Sequence, residues 1–488
     1  MITKSNCCET KRWIYALVFL TAWISITLLS LKNIPTYDMY YMARLGKELL
    51  SNNLKLCFNN PMSIVDGAKV VVQQPFFCIL SYIMLDQLPF IYEAYIGGFL
   101  LLQGVLLLKV GKEYGFSKDL NITLSILGMI IISFYAGFRP FMVDLVLFLG
   151  EIICIKKYQK QSNIKWLIYL PICSFFIANT HASMALYSFI FVLPFLLPEG
   201  IKKKSLVKWK QEIFTKFFFF VCMILASLIT PLMPFSVVWI LKYVNVSDFS
   251  IYISELHPIY KNAPIWDIFL FACMSILSVC LIYQILRYKC EYLQEVALLL
   301  GLSLMGFMFI RNFSFAILGI FAAISTLIKG ISRDYSKKER ILCLIALGLI
   351  VCSAYKTPDQ KGFDCQIPKE IANYLLLQGG KQYILAQPDA SSYLNYYANC
   401  HTAINSMPES GFKKMNGVCD VFKDTCLLYQ DFSMDYFSKY HIDYAIFCQN
   451  PDCVFYYDEK PIREGLLKNG WVSVMEDGDC VLFKNPYK

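Results

Sequence analysis

Along the first three quarters of the chain, apolar residues run in blocks of roughly 15–25 separated by short basic loops, the length that carries a helix across about 30 Å of hydrocarbon. The first block, Trp13 to Leu31, is too long for a removable signal peptide and lacks a small-residue cleavage site. The last runs from Ile341 to about Tyr355. The pattern predicts a polytopic α-helical membrane protein of about eleven spans over residues 1–356. One stretch resists a simple count. The apolar run Phe76–Lys109 is long enough for two crossings, yet the basic loops require an odd number between Gln74 and Lys118. Asp86, Pro89 and Glu93 interrupt it, so one half is expected to lie at the interface or be buried without crossing.

From residue 357 to 488 the pattern changes to that of a soluble domain. Pro368–Leu377, Met434–Tyr440 and Ile462–Lys468 read as helices, and Gln382–Ala386, Tyr444–Cys448, Val472–Met475 and Cys480–Phe483 as strands, an alternation that predicts a small α/β domain. Asp477-Gly478-Asp479 joins two of these strands and reads as a turn rather than a metal motif. After the first span, Asp38 opens an amphipathic helix in which Tyr41, Leu45 and Leu49 share a face, a pattern suited to lying on the bilayer surface.

Composition agrees with the pattern. The chain is 57% hydrophobic and 17% charged, with a mean hydropathy of +0.49, against about a quarter charged in soluble domains. The net charge of +9 arises from lysines in loops beside apolar blocks, which points to membrane orientation and not to nucleic acid. Lys4, Lys11 and Arg12 put the N-terminus in the cytoplasm. Inside placement of Lys156–Lys165, Lys202–Lys216, Arg287–Lys289 and Lys329–Arg340 then sends the tail outside, as a multi-pass protein of the cell membrane. There is no phosphate-cradling glycine loop and no internal repeat. Of the 19 cysteines, seven lie in the tail, an odd number that leaves disulfide pairing open.

The outer loops hold most of the unusual residues. Asp38 reads either as a helix N-cap or as a base. His181 and His257 fall at membrane rims beside Asn179 and Glu255, and such polar groups are costly there unless partnered. They read as a cap and an exposed side chain, or as ligand contacts. Arg139 and Arg311 stand at the same level, as snorkelling cations or as holders of an anion. Asp38, Glu255 and the histidines are ligand types for a divalent metal, but no close ligand spacing supports one and no cofactor is expected.

The order of these features resembles the large integral-membrane glycosyltransferases of the GT-C class that use polyprenyl-phosphate sugars, most closely a bacterial branch with a C-terminal globular domain. The resemblance covers most of the chain. Thr36-Tyr37-Asp38-Met-Tyr-Tyr41 stands where the class carries its acidic residue in the first outer loop, and Gln73-Gln74-Pro75-Phe76 where relatives show His-Glu-Trp or Pro-Pro. Phe138-Arg139-Pro140 is similar to the branch's Arg-Pro motif, and Asn179-Thr-His181-Ala-Ser183 to its Asn-Leu-His-Gly-Ser. Ser254-Glu255-Leu-His257-Pro258 is similar to its Glu-Trp-x-Pro, and Arg311-Asn-Phe313 to its late Arg-Phe. Gln73 and Gln74 replace an acidic residue, Ala182 a glycine and Leu256 a tryptophan, departures that bear on the acceptor pocket.

The resemblance implies sugar transfer from a polyprenyl-phosphate carrier to an acceptor hydroxyl on a glycan, lipid or protein, at the outer face of the bilayer. Asp38 is the implied general base, and Tyr37, Gln74, Arg139, Asn179, His181, Glu255, His257 and Arg311 are the implied substrate contacts. The rival readings are a polymerase or ligase of lipid-linked glycans, and a non-catalytic protein that binds or moves them.

Overall fold

The computed structural model describes residues 4–31, 38–87, 91–133, 136–197, 206–229, 293–308, 368–405, 413–448, 459–478 and 480–488, with residues 272, 275, 279, 282, 315, 318–320, 322 and 411 between them. In chain order the helices and strands are α1 (Lys4–Ser30), α2 (Asp38–Ser51), β1 (Cys57–Asn59), β2 (Lys69–Val71), α3 (Pro75–Gln87), α4 (Ile91–Tyr114), α5 (Lys118–Ser133), α6 (Phe141–Gln161), α7 (Lys165–Thr180) and α8 (Met184–Val192). There follow α9 (Leu206–Leu228), α10 (Leu293–Met308), α11 (Lys369–Gln378), β3 (Tyr383–Leu385), α12 (Pro388–Tyr397), β4 (His401–Thr402), α13 (Lys413–Asn416) and α14 (Val421–Gln430). The last are α15 (Met434–Lys439), β5 (Tyr444–Cys448), α16 (Lys460–Lys468), β6 (Val472–Asp477) and β7 (Cys480–Lys484). The chain divides into two compact units, one of Met1–Asn33, Tyr92–Thr230 and Ser254–Gln360, the other of Ile34–Ile91, Pro231–Ile253 and Lys361–Lys488.

The first unit is a helical bundle held by side chains that spend their polar groups on neighbouring helices. Trp23 Nε1 donates to the Gly97 carbonyl at 2.9 Å, Gln103 Nε2 to that of Met142 at 2.8 Å, and Ser174 Oγ to that of Met223 at 3.0 Å. Gly104 lets three helices close up: a Cβ there would sit 2.4 Å from the Met129 sulfur and 2.8 Å from Phe19. Small residues are the usual means of such approach between apolar helices. The bundle has two distinct ends. At one, Lys156 pairs with Glu295 and Lys160 with Glu113, both at 2.9 Å, and Lys157 lies 4.0 Å over the Trp166 ring. Arg139 precedes α6 and His181 follows α7, so both fall at the other end.

Large apolar side chains point outward from this unit, among them Trp13 (77% exposed) and Phe214 (70%). Hydrocarbon, unlike water, solvates such a surface without loss. Among the described residues, Trp13–Ser30, Tyr92–Tyr114 and Lys210–Leu228 are long and apolar enough to cross a membrane. The last expected span, Ile341 to about Tyr355, lies outside the described residues. In the ambiguous 76–109 run, α4 has spanning length and the 13-residue α3 does not.

The second unit is built on a mixed five-stranded sheet of order β4-β3-β5-β7-β6. β3 runs parallel to β4 and β5, while β7 is antiparallel to β5 and β6. Every residue of β5 is buried, as a central strand covered on both faces requires. All seven elements expected of the tail are present, within two residues at each end. Helices α12, α13 and α14 and the short β4 were not anticipated. In α12 the sequence Pro388-Asp-Ala-Ser-Ser-Tyr-Leu-Asn395 has loop composition, but Ser391, Ser392 and Asn395 are buried; Ser391 Oγ donates to Ala386 O at 3.2 Å, and Asn395 Nδ2 to Cys400 O at 2.8 Å. Gly478 turns between β6 and β7 with φ +58°, and Asp477 Oδ2 accepts the Glu370 N–H at 2.8 Å, a turn-and-cap role. Asp479 is outside the described residues.

The segment that follows α1 belongs to this same unit. Thr402 N–H donates to Met62 O at 2.8 Å and Ile64 N–H to Thr402 O at 3.2 Å. His401 Nδ1 lies 3.1 Å from Ser63 O, so residues 62–64 run parallel beside β4 and cover its edge. On the other side of the sheet, Cys448 and Cys480 form a disulfide between paired positions of β5 and β7.

Two outcomes follow from these links. Closing a loop of 32 residues by a disulfide contributes about 3–4 kcal/mol in the chain-entropy account. Reduction, or Cys448→Ser with Cys480→Ser, is therefore expected to lower the unfolding temperature of the second unit, and mass spectrometry of non-reduced peptides should recover this pair. Burial of His401 lowers its pKa from the ordinary value of 6.5, against the raising effect of the Ser63 contact. The unfolded chain then takes up this proton first as pH falls, so stability is full above about pH 6.5 and declines below it. Hydrogen-exchange protection at Ile64 and Thr402 should fall on acidification, and His401→Gln should remove that dependence.

Candidate functional site

In the second unit the site residues stand on α2 and at the start of α3. Asp38 is the first residue of α2 and is half-buried; a carboxylate there lies at the favourable, positive end of the helix dipole. Tyr41, Leu45 and Leu49 do share a face, but they are 2%, 4% and 0% exposed. The expectation that this face lies on the bilayer is therefore corrected: it is covered by protein. Periodicity reports an apolar face without reporting what solvates it. The packing is close because Gly46 allows it: a Cβ at Gly46 would stand 2.1 Å from the Cys78 carbonyl oxygen on α3. On another side, Tyr40 meets the rings of Tyr393 and Tyr397 of α12 at 5.1 and 5.7 Å. Burial pushes the Tyr393 phenol up to about 12, so the cluster is neutral at ordinary pH. Arg44 is buried and pairs with Glu48 at 3.0 Å. Burial pulls its pKa down and Glu48 opposes the shift. Gln74 precedes α3, its carbonyl accepting the Cys78 N–H at 2.9 Å. Its side chain is buried, with Oε1 lacking a hydrogen-bond partner among the described residues.

In the first unit, Arg139, Asn179 and His181 lie at one end of the bundle. Tyr95 OH donates to the Arg139 carbonyl at 2.9 Å, fixing the turn that feeds α6. Asn179 is buried at the last turn of α7, where Nδ2 donates to Phe175 O at 2.9 Å and to Ile229 O at 3.1 Å. His181 is the residue after α7, and its Nδ1 lies 2.7 Å from Oδ2 of Asp144, a carboxylate with no solvent exposure. Asp144 was not singled out from the sequence, although an acid inside an apolar block is a signal in itself. The same is true of Glu151, two turns further along α6 and 1% exposed, whose Oε1 accepts from Ser188 Oγ at 2.7 Å. The expectation that polar groups keep to the outer rim is corrected on this point: α6 carries one of its acids deep in the bundle.

Asp38 and Gln74 thus share the second unit, and Arg139, Asn179 and His181 the first. Tyr37, Glu255, His257 and Arg311 lie outside the described residues. Among the described residues, no three His, Cys, Asp or Glu side chains gather as ligands for a metal.

The fold is similar to that of the oligosaccharyltransferases, membrane glycosyltransferases of the GT-C class. The solved structures concerned are of the Archaeoglobus fulgidus oligosaccharyltransferase. The form tethered to an acceptor peptide containing the NVT sequon matches with a TM-score of 0.55 at 11% identity, over 90% of this chain and 70% of that one. The complex with an inhibitory peptide and a dolichol-phosphate matches at 0.52 and 11%, over 89% and 70%. A complex of the same enzyme with Zn and sulfate matches at 0.51 and 12%, over 87% and 67%. No protein-family model and no curated protein sequence matches the chain.

Because Gly46 meets backbone and not a movable side chain, Gly46→Ala is expected to force α2 away from α3 and destabilise the second unit by about 1–3 kcal/mol. A lower unfolding temperature in detergent would register this, and an unchanged one would contradict the close packing.

Proposed function

We propose that this chain is a membrane glycosyltransferase that moves a sugar from a polyprenyl-phosphate carrier to an acceptor hydroxyl on the outer face of the membrane. The observation that carries the reading is the oligosaccharyltransferase-like fold over 90% of the chain, with a carboxylate opening the first-loop helix. The Archaeoglobus fulgidus enzyme of that fold is seen with a dolichol-phosphate and with an acceptor peptide, which agrees with a lipid-linked donor here and with a glycan, lipid or protein acceptor. In the step proposed, the acceptor oxygen attacks the anomeric carbon and the bond from that carbon to the phosphate oxygen breaks. The electron pair leaves with the phosphate, and the acceptor's proton passes to Asp38. Attack opposite the leaving group inverts the anomeric centre. Arg139 and Arg311 supply positive charge for the phosphate as it takes up negative charge, and Tyr37, Gln74, Glu255 and His257 complete the contacts to donor and acceptor.

The proposed orientation has the N-terminus in the cytoplasm and residues 357–488 as the outer domain. The disulfide between Cys448 and Cys480 supports it, because such bonds persist in oxidising compartments. A second reading, a non-catalytic protein that moves lipid-linked sugars, draws support from Glu151, since carboxyls buried at mid-bundle are characteristic of transport paths. Turnover separates the two.

Asp38→Asn keeps the size and the capping ability of the side chain but cannot accept a proton. Turnover of a prenyl-phosphate sugar by this variant is expected to fall on the order of 10²–10⁴-fold with normal expression. Unchanged turnover would reduce Asp38 to a helix cap. A reporter fused after Lys488 should be active outside the cytoplasm and one at Lys208 inside; the opposite result would invert the orientation.

A further inference from the structure

The second unit gathers tyrosines where α12 meets α2. The run Tyr393-Leu-Asn-Tyr396-Tyr397 on α12 sets its phenols around Tyr40 of α2. Tyr40 is buried, 6% exposed. Its ring stands edge-on to Tyr393 at 5.1 Å, and lies 6.1 and 5.7 Å from those of Tyr396 and Tyr397. Tyr397 packs on Tyr393 at 4.5 Å and meets Tyr396 edge-on at 5.0 Å, favourable arrangements that hold the rings in place. Tyr393 is buried with Tyr40, whereas Tyr396 is half-buried and Tyr397 is 45% exposed. A supported aromatic surface is therefore left uncovered.

Polar groups border the same surface. Tyr82 and Asp86 lie one turn apart on α3, the first half-buried and the second exposed. Burial, and after it the charge of Asp86, pushes the Tyr396 and Tyr397 phenols up. Both therefore keep their hydrogens at ordinary pH and can donate as well as accept, while the Asp86 carboxylate can only accept. Two charged side chains act on Tyr396, Asp86 and Arg44. Arg44 is buried and paired with Glu48, so the exposed charge of the two is the negative one.

A sugar ring is matched to such a surface, because it presents C–H groups on its faces and hydroxyls around its edge. The C–H groups lie on aromatic faces, and the hydroxyls meet phenols and a carboxylate. Tyrosines that anchor a protein at a membrane surface would stand with cations, which anionic head groups attract; an exposed carboxylate is repelled there. We propose that Tyr396 and Tyr397, with Asp86 at their edge, bind a sugar residue of a glycan acceptor. Tyr40, under these rings, follows Asp38 by two residues on α2, which turns the two side chains to nearly opposite sides of a helix about 10 Å across. The sugar held here is thus a neighbour of the reacting one, further along the same acceptor chain. Its role as acceptor rests on the glycosyltransferase reading, and narrows the acceptor from glycan, lipid or protein to glycan.

The test is hydroxyl-radical footprinting of the full chain in lipid nanodiscs, read by mass spectrometry, with and without a panel of free oligosaccharides that carry neither lipid nor phosphate. Without sugar, Tyr396 and Tyr397 are expected to be oxidised. At least one oligosaccharide should protect both in a saturable manner. Its affinity should fall about tenfold in Tyr397→Ala and in Asp86→Ala, and only about threefold in Tyr397→Phe, which keeps the ring and loses the hydroxyl. If Tyr397→Ala fails to fold, Asp86→Ala at its exposed position and Tyr397→Phe carry the same readout. A Tyr397→Phe variant as weak as Tyr397→Ala refutes the stacking. Tyrosines that escape oxidation without sugar lie in lipid, which overturns the proposal in favour of a membrane contact. Protection by a peptide containing the NVT sequon and by no oligosaccharide overturns it in favour of a polypeptide, and protection by neither overturns it outright. Sugar transfer to a protein or lipid, with no protection by any oligosaccharide, refutes only this addition. Protection without turnover of any polyprenyl-phosphate sugar supports the sugar site and refutes the glycosyltransferase reading itself.

Discussion

Inside a helical bundle that excludes water, every polar group has to be met by another part of the protein, and the first unit is arranged by that requirement. The α6 helix imposes it most severely, because two of its acids, Asp144 and Glu151, have almost no solvent contact. Each is matched by a residue 37 positions later, Asp144 by His181 and Glu151 by Ser188. The equal offset means that residues 181–188 run in the same direction as α6, which is possible because α7 returns the chain between them. The Gln103, Ser174 and Asn179 contacts tie α4, α7 and α9 into the same frame. The rim chemistry is thus an extension of how the bundle satisfies its interior, and a residue that orients His181 also fixes the helix register.

Much of the architecture was legible because its signals are local. Block length marks helices long enough to span a membrane, such as α1, and alternating composition marks the strands and helices of the tail. Runs of lysine pick out one end of the bundle, where Lys156 and Lys160 indeed meet Glu295 and Glu113. What was not legible depends on partners distant in sequence. Tyr41, Leu45 and Leu49 announce an apolar face, and only the three-dimensional neighbourhood reveals that protein covers it. Asp144 and Glu151 stood in plain view in an apolar helix, yet nothing near them in sequence identifies His181 and Ser188 as their donors. Likewise the serines and asparagine of α12 have the composition of a loop until burial and hydrogen bonding make them helical.

The joining of Met62–Ile64 to β4 has a consequence for how the protein is made. Ser63 and His401, which touch, are 338 residues apart in the chain. At a synthesis rate of about 5–20 residues per second, the first loop waits roughly 20–70 s for the segment that will sit beside it. During that interval α2 and α3 can pair with each other, but the edge that β4 later covers is bare. Contacts of such long sequence range are also the slowest to form. The unit that carries Asp38 is therefore completed last, after the helices of the first unit have been synthesised. Assembly order itself leaves this unit unfinished until the whole chain has been delivered.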